Sequence, residues 1–142
     1  MPKSNPIKLI VDTNLWISFI ISNKLKRLDP ILFSGKARLL ISTELITEIS
    51  STITKPKLKK YFSSNALEEM LSKFDPFIDL IKVNSNVLVC RDSKDNFLLA
   101  LSKDGKADYL LTSDKDLLHI KKFGKTNIIT ITKFFETHKN YR

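Results

Sequence analysis

The stretch that decides the fold is Ile7 to Trp16, IKLIVDTNLW. A mostly apolar run, Ile7 to Val11, stops at Asp12, and the polar Thr13 and Asn14 follow. A short apolar run between polar breaks reads as a buried strand. Leu15, Trp16, Ile17, Phe19 and Ile20 then read as the start of a helix capped by Asp12, Thr13 or Asn14. A carboxylate at such a junction is either a helix cap or part of a site, and both readings stand at this point.

Working outward, the same unit recurs. Residues 37–42, ARLLIS, form a second strand, after a short helix from Arg27 to Phe33. From Thr43 to Thr54 the apolar Leu45, Ile46, Ile49 and Ile53 share one helical face, with Thr43 as the cap. Pro56 and the lysines of KPKLKK interrupt it, and a further helix runs from Ser64, its cap, to Phe74. FIDLIKV (77–83) carries a third strand, which SNVLVC extends or follows. Asp95 to Lys103 is a helix with Phe97, Leu98, Ala100 and Leu101 facing inward. ADYLLTS (107–113) is a fourth strand, Asp116 to Lys122 a short helix, TNIITIT (126–132) a fifth strand, and Lys133 to His138 a closing helix. Helices alternating with short apolar strands imply parallel pairing with right-handed crossovers. The expected fold is an α/β/α three-layer sandwich about a parallel sheet of four or five strands, with residues 1–142 as one domain. Periodicity does not encode strand order.

Composition narrows the function classes. A length of 142 residues suits a single domain, and 42% hydrophobic with 27% charged residues suits a globular protein. Cys90 is the only cysteine, so no intrachain disulfide forms and a reducing compartment is expected. The apolar run before Asp12 is too short for a signal-peptide core or a membrane span, and a cytoplasmic location follows as the expectation. The net charge of +9 favours polyanions: nucleic acid, an acidic membrane surface or an acidic partner protein. Three glycines leave no phosphate-cradling loop, no serine stands in a nucleophile elbow, and His119 and His138 lack metal-ligand spacing.

The acids are the informative residues. In open parallel sheets, ligands bind beyond the carboxyl ends of the strands. Asp12 follows the first strand and Asp114 the fourth. Asp95 heads a helix descending from that same edge, and Glu48 lies about one turn into the helix after the second strand. Each has a plain alternative: Asp12 as a cap, Asp92 and Asp95 as helix-start charges, Asp116 as the cap of its short helix, Glu48 as a solvated position like Glu44. As a constellation they demand more, because clustered carboxylates repel unless protonated or bridged by a cation. Oxygen donors suit Mg²⁺ or Mn²⁺. Acids for metal beside lysines for phosphate are the layout of a nuclease. Lys55, Lys57, Lys59 and Lys60 are the candidate phosphate contacts, against the alternative of a solvated loop.

IVDTNLWIS, STELITEISSTITKPKLKKYF, CRDSKDNFLLALSKDGKADYLLTSDKDLL and NIITITKFFE together resemble the PIN domain. They are most similar to the bacterial and archaeal branch of toxins in toxin–antitoxin systems, akin to VapC toxins. The resemblance spans nearly the whole chain. VDTN alone is weak; DSKDN followed by LLTSDKDLL is specific. The resemblance implies a metal-dependent ribonuclease acting on RNA with Mg²⁺ or Mn²⁺, with Asp12, Glu48, Asp95 and Asp114 as the catalytic acids. Asp12, Asp95 and Asp114 are the implied metal ligands, with Asp116 a further one. Asn14 and Ser113 match polar positions beside the metal, and Asp92 fits the loop outside the ligand set. A cognate antitoxin and a homodimer are the implied partners, with no membrane. The rival readings are a non-catalytic PIN-fold module that binds RNA or protein, and a phosphotransfer domain of the receiver or haloacid-dehalogenase type. The second lacks the further acid its pattern needs, since Thr13 and Asn14 occupy those positions.

Overall fold

The computed structural model describes residues 5–22, 27–90 and 93–138. The chain lays down strand β1 (Ile7–Val11), helices α1 (Thr13–Ser22) and α2 (Asp29–Phe33), and strand β2 (Ala37–Ile41). Helices α3 (Thr43–Ile53), α4 (Pro56–Lys59) and α5 (Ala66–Phe74) lead to β3 (Ile78–Leu80). Helix α6 (Ser93–Gly105), β4 (Tyr109–Leu111), α7 (Lys115–Ile120), β5 (Lys122–Phe123), β6 (Thr126–Ile129) and α8 (Ile131–Thr137) complete it.

The strands form one sheet in the order β3-β2-β1-β4-β6-β5, flanked by helices. β1 is central and parallel to both neighbours, with Leu9 opposite Leu39 and Val11 opposite Leu111. Leu9, Ile10, Val11, Leu39, Leu40 and Ile41 are all buried, the run expected of parallel strands covered on both faces. The sheet therefore has the expected parallel strands and one strand more, six in all. Five are parallel, and the sixth, β5, is a two-residue strand antiparallel to β6. A hairpin that short carries no period. Its turn is made by Gly124 at φ +59°, a left-handed conformation that glycine adopts without strain.

Several boundaries differ from expectation. The third strand shortens to Ile78–Leu80, and the SNVLVC segment pairs with no strand. The cap of α3 is Ser42, whose Oγ accepts from the Leu45 N–H at 3.1 Å, rather than Thr43. Helix α5 begins at Ala66 with no side-chain capping bond, so Ser64 does not cap it. The cap of α7 is Asp114 rather than Asp116. Part of the lysine run is itself helical, because Pro56 sits in the first turn of α4, where its missing N–H costs nothing. In α6 the residues Leu98, Leu99, Ala100 and Leu101 are buried, but Phe97 is 44% exposed and does not face inward.

Topology sets the place of the site. The chain runs from β1 outward to β2 and β3, then crosses back to β4 on the other side of β1. The strand order thus reverses between β1 and β4, and the carboxyl ends of that pair flank the crevice where such sheets bind ligands. Gly105 lets the last turn of α6 sit on the sheet, since a Cβ there would meet Leu40 Cδ1 at 2.7 Å. No helix among the described residues is long and apolar enough to cross a membrane.

Candidate active site

Asp12 leaves β1 at that crevice. Its backbone N–H donates to Leu111 O at 3.1 Å, extending the β1–β4 ladder by one step. The side chain is 4% exposed. Its Oδ1 accepts from the Leu15 N–H at 2.8 Å, the bond of a helix cap. Its Oδ2 accepts the hydroxyl of Thr112. The two readings of Asp12 are therefore compatible: one oxygen caps α1 and the other turns to the neighbouring strand end.

Thr112 is fully buried and joins the two strand ends. While its hydroxyl donates to Asp12, its Oγ1 accepts from the Asp114 N–H at 3.0 Å. Its own N–H donates to Ile129 O at 3.0 Å, tying the same point to β6. Asp114 Oδ1 takes the N–H groups of Asp116 at 2.8 Å and Leu117 at 3.4 Å, starting α7. Asp114 Oδ2 accepts no hydrogen bond among the described residues.

Asp95 lies in the first turn of α6 and is 5% exposed. Beside it, Asn96 grips the backbone of Cys90 from both sides. The Cys90 N–H donates to Asn96 Oδ1 at 2.7 Å, and Asn96 Nδ2 donates to Cys90 O at 2.9 Å. This pair fastens the approach to α6 against its head. Glu48 is half-buried on α3 and lines a small cleft with Thr13, Ser42, Glu44, Phe97 and Leu98. The cleft brings the helix acid beside the starts of α1 and α6.

The fold thus carries Asp12, Glu48, Asp95 and Asp114 to the carboxyl edge of the sheet on four separate elements. Among the described residues, no three His, Cys, Asp or Glu side chains stand as a ready-made metal cage. The donor chemistry at the rim nonetheless fits a hard divalent cation, because these side chains offer oxygen alone. His138 stacks on Phe134 at 4.3 Å between centroids and lines a cleft with Lys8 and Asp108, at the opposite edge. His119 is exposed in the last turn of α7. Asp116 is exposed in the first turn of α7, Asn14 is exposed in the first turn of α1, and Ser113 is exposed between Thr112 and Asp114. Asp92 lies outside the described residues. Lys55, Lys57, Lys59 and Lys60 are exposed in and around α4, beyond the far end of α3.

A model of the PIN domain matches residues 8–116. The chain belongs to the PIN-domain family. PIN domains are in general nucleases, and hydrolysis of nuclease type is the activity class that membership carries. The chain is also similar to the uncharacterized protein MJ1680 of Methanocaldococcus jannaschii, 34% identical over 119 residues, which cover 81% of this chain and 76% of the relative. The PIN match runs from Lys8 to Asp116 and so contains all four rim acids.

Two residues of this PIN site escaped the sequence reading, Thr112 and Asn96. Thr112 stands directly across from Asp12, one step beyond the Val11–Leu111 pair. Its role becomes visible only once β1 and β4 are known to be neighbours. Asn96 sits in the quoted DSKDN motif, yet its partner is a backbone six residues earlier, which no side-chain pattern announces.

Proposed function

We propose that this PIN domain is an endoribonuclease that hydrolyses RNA phosphodiester bonds with Mg²⁺ or Mn²⁺, and that it is the toxin of a toxin–antitoxin pair. The observation that carries the nuclease reading is the joining of Asp12 and Asp114 through one buried hydroxyl at the strand-order reversal. A divalent cation, when bound, acidifies a water and offsets charge on the phosphate. Asp12, Asp95 and Asp114 would hold it, with Asp116 as a further ligand. Thr112 holds the Asp12 carboxylate at the end of β4, beside the backbone from which Asp114 starts α7. Glu48, at the neighbouring cleft, would complete or orient the ligand shell. Asn14 and Ser113 supply polar contacts at the rim. No side chain acts as a covalent nucleophile.

The lysines have a different task. Helix α3 has 11 residues, so the run from Lys55 to Lys60 begins about 16 Å along the helix from the rim. Contacts there would hold phosphates several nucleotides from the scissile bond. A nuclease of this charge, acting in the cytoplasm, needs restraint, which a cognate antitoxin would supply. An acidic antitoxin segment suits the net charge of +9, and a Lys or Arg within it would sit among the carboxylates in place of metal. A homodimer is the assembly we expect.

The test is cleavage of labelled RNA by the purified chain with Mn²⁺ and with EDTA, alongside expression in cells with and without the neighbouring gene. Cleavage abolished by EDTA and growth arrest relieved by the neighbour support both halves. Undiminished cleavage in EDTA removes the metal mechanism. RNA bound but never cut in Mn²⁺ leaves a non-catalytic binding module. Cleavage by a chain that is harmless in cells removes only the toxin half.

A further inference from the structure

The exposed Phe97 stands at the junction of two clefts. One is the carboxylate cleft, shared with Glu48 and Thr13. The other holds about 200 Å³ between α6 and the unpaired segment before it, lined by Val87, Leu88, Asn86, Ala100, Glu44 and Phe97. Glu44 and Phe97 belong to both, so the second cleft continues the first. A single exposed apolar residue needs no explanation. Here Phe97 at 44% exposure and Leu88 at 80% line the same groove, and that groove continues into the cleft lined by Glu48 and by Thr13, the neighbour of Asp12.

We propose that this groove is a base-binding subsite, in which an unpaired nucleobase next to the scissile phosphate stacks on the Phe97 ring. The inference rests on the ribonuclease reading above and adds to it which part of the RNA is gripped, and where. The lining selects the occupant. A groove with apolar walls and the acid Glu44 repels phosphate, but suits a flat ring whose amino or imino N–H can donate to a carboxylate. Its volume lies below that of drug-sized sites, which suits one base rather than a larger ligand. Aromatic faces presented to splayed, single-stranded bases are a recurring mode of RNA recognition. Ser85 and Asn96, which also line the groove, already have partners: the Ser85 hydroxyl donates to Asp104, and Asn96 holds Cys90. Asn86, exposed at the margin, and Glu44, whose Oε2 accepts only a long bond from the Thr43 hydroxyl at 3.4 Å, remain to read the base edge.

The experiment compares wild type, Phe97→Ala and Phe97→Tyr on short single-stranded oligoribonucleotides with Mn²⁺, each sequence made intact and with abasic positions next to the cleavage point. Circular dichroism and melting confirm that the variants fold. The loss expected on Phe97→Ala is a KM raised between about fivefold and a hundredfold, the range of a base–aromatic stack, with kcat little changed. Phe97→Tyr should restore the wild-type KM. An abasic position should cost the wild type the same factor and cost Phe97→Ala nothing, because the stack is already gone. A folded Phe97→Ala with wild-type KM, on RNA that the wild type cleaves, overturns this inference alone and assigns the exposed ring to a protein contact. A wild type that neither binds nor cleaves RNA overturns the ribonuclease reading and this subsite with it.

Discussion

Replacing Thr112 with valine tests the link between the two strand ends. The change is nearly isosteric and falls at a fully buried position, so packing is kept and only the hydroxyl is lost. Two bonds go with it: donation to the Asp12 carboxylate and acceptance from the Asp114 N–H. A hydrogen bond to a charged group contributes about 1.5–3 kcal/mol, and a donor left without its acceptor costs about 1–3 kcal/mol. Asp12 keeps its bond from Leu15 and Asp114 is only half-buried, so the low end of each range applies and the sum is about 2.5 kcal/mol. A chain of this length has a total stability of roughly 7–20 kcal/mol, so the variant should fold, with a melting temperature lower by roughly 10 °C. Trp16 is the sole tryptophan and fully buried, so its fluorescence reports urea unfolding directly. The midpoint should fall with the slope unchanged. Thr112→Ser keeps both bonds and should lose only about 1 kcal/mol for the missing methyl. A Thr112→Val midpoint equal to wild type would refute the argument that this hydroxyl joins β1 to β4. Cleavage, where measured, should fall further than the folded fraction does, since the carboxylate loses its orientation.

Asp12→Asn should abolish cleavage and cost about 1.5–3 kcal/mol in melts, because asparagine keeps the cap on Leu15 but turns an N–H instead of an accepting oxygen to the Thr112 hydroxyl; full activity in the folded variant would make Asp12 a structural residue and nothing more. Asp104 has its carboxyl held below the usual carboxylate range by the Ser85 hydroxyl first, then by the Ser85 and Asn84 N–H groups. A folded pKa below the unfolded one means this contribution is present at neutral pH and lost as pH falls below the ordinary carboxylate value of about 4 and through the folded pKa. Amide exchange at Asn84 and Ser85 should therefore speed up in Asp104→Asn at neutral pH, and the variant and wild type should converge in acid. Gly105→Ala should destabilise by about 1–3 kcal/mol in thermal melts, because its Cβ overpacks against the buried Leu40; an unchanged melt would show that Leu40 gives way freely.

The fold was legible where burial on both faces writes continuous apolar runs, as in IKLIV and ARLLI. It was less legible at β3 and β5, whose pairing is decided by tertiary neighbours rather than by their own residues. Helix caps were misplaced by one or two residues, because Ser42 and Thr43, or Asp114 and Asp116, are equally good caps by type. Asp12, Asp95 and Asp114 were candidates from their positions after strands and at a helix head, whereas the choice of Glu48 over Glu44 came from the family resemblance. Phe97 was misassigned because apolar spacing assumes that every large apolar residue of a helix seeks the core, and this one does not. Thr112 stayed invisible because its meaning lies in strand adjacency, which a linear pattern does not contain.

The order of elements has an electrical consequence. Helices α1, α3 and α7 each follow a parallel strand, and α6 leads back into one, so their first turns all begin at the rim. Each beginning presents unpaired amides equivalent to roughly half a positive charge. Asp12 and Asp114 spend one oxygen each on such amides. Much of the negative charge gathered at the rim is thus offset by the backbone that delivers it. The folded chain consequently stands without an ion to bind its acids together, and chelator should leave the melting temperature nearly unmoved. On the proposed mechanism, a cation at this rim would serve the reaction and not the fold.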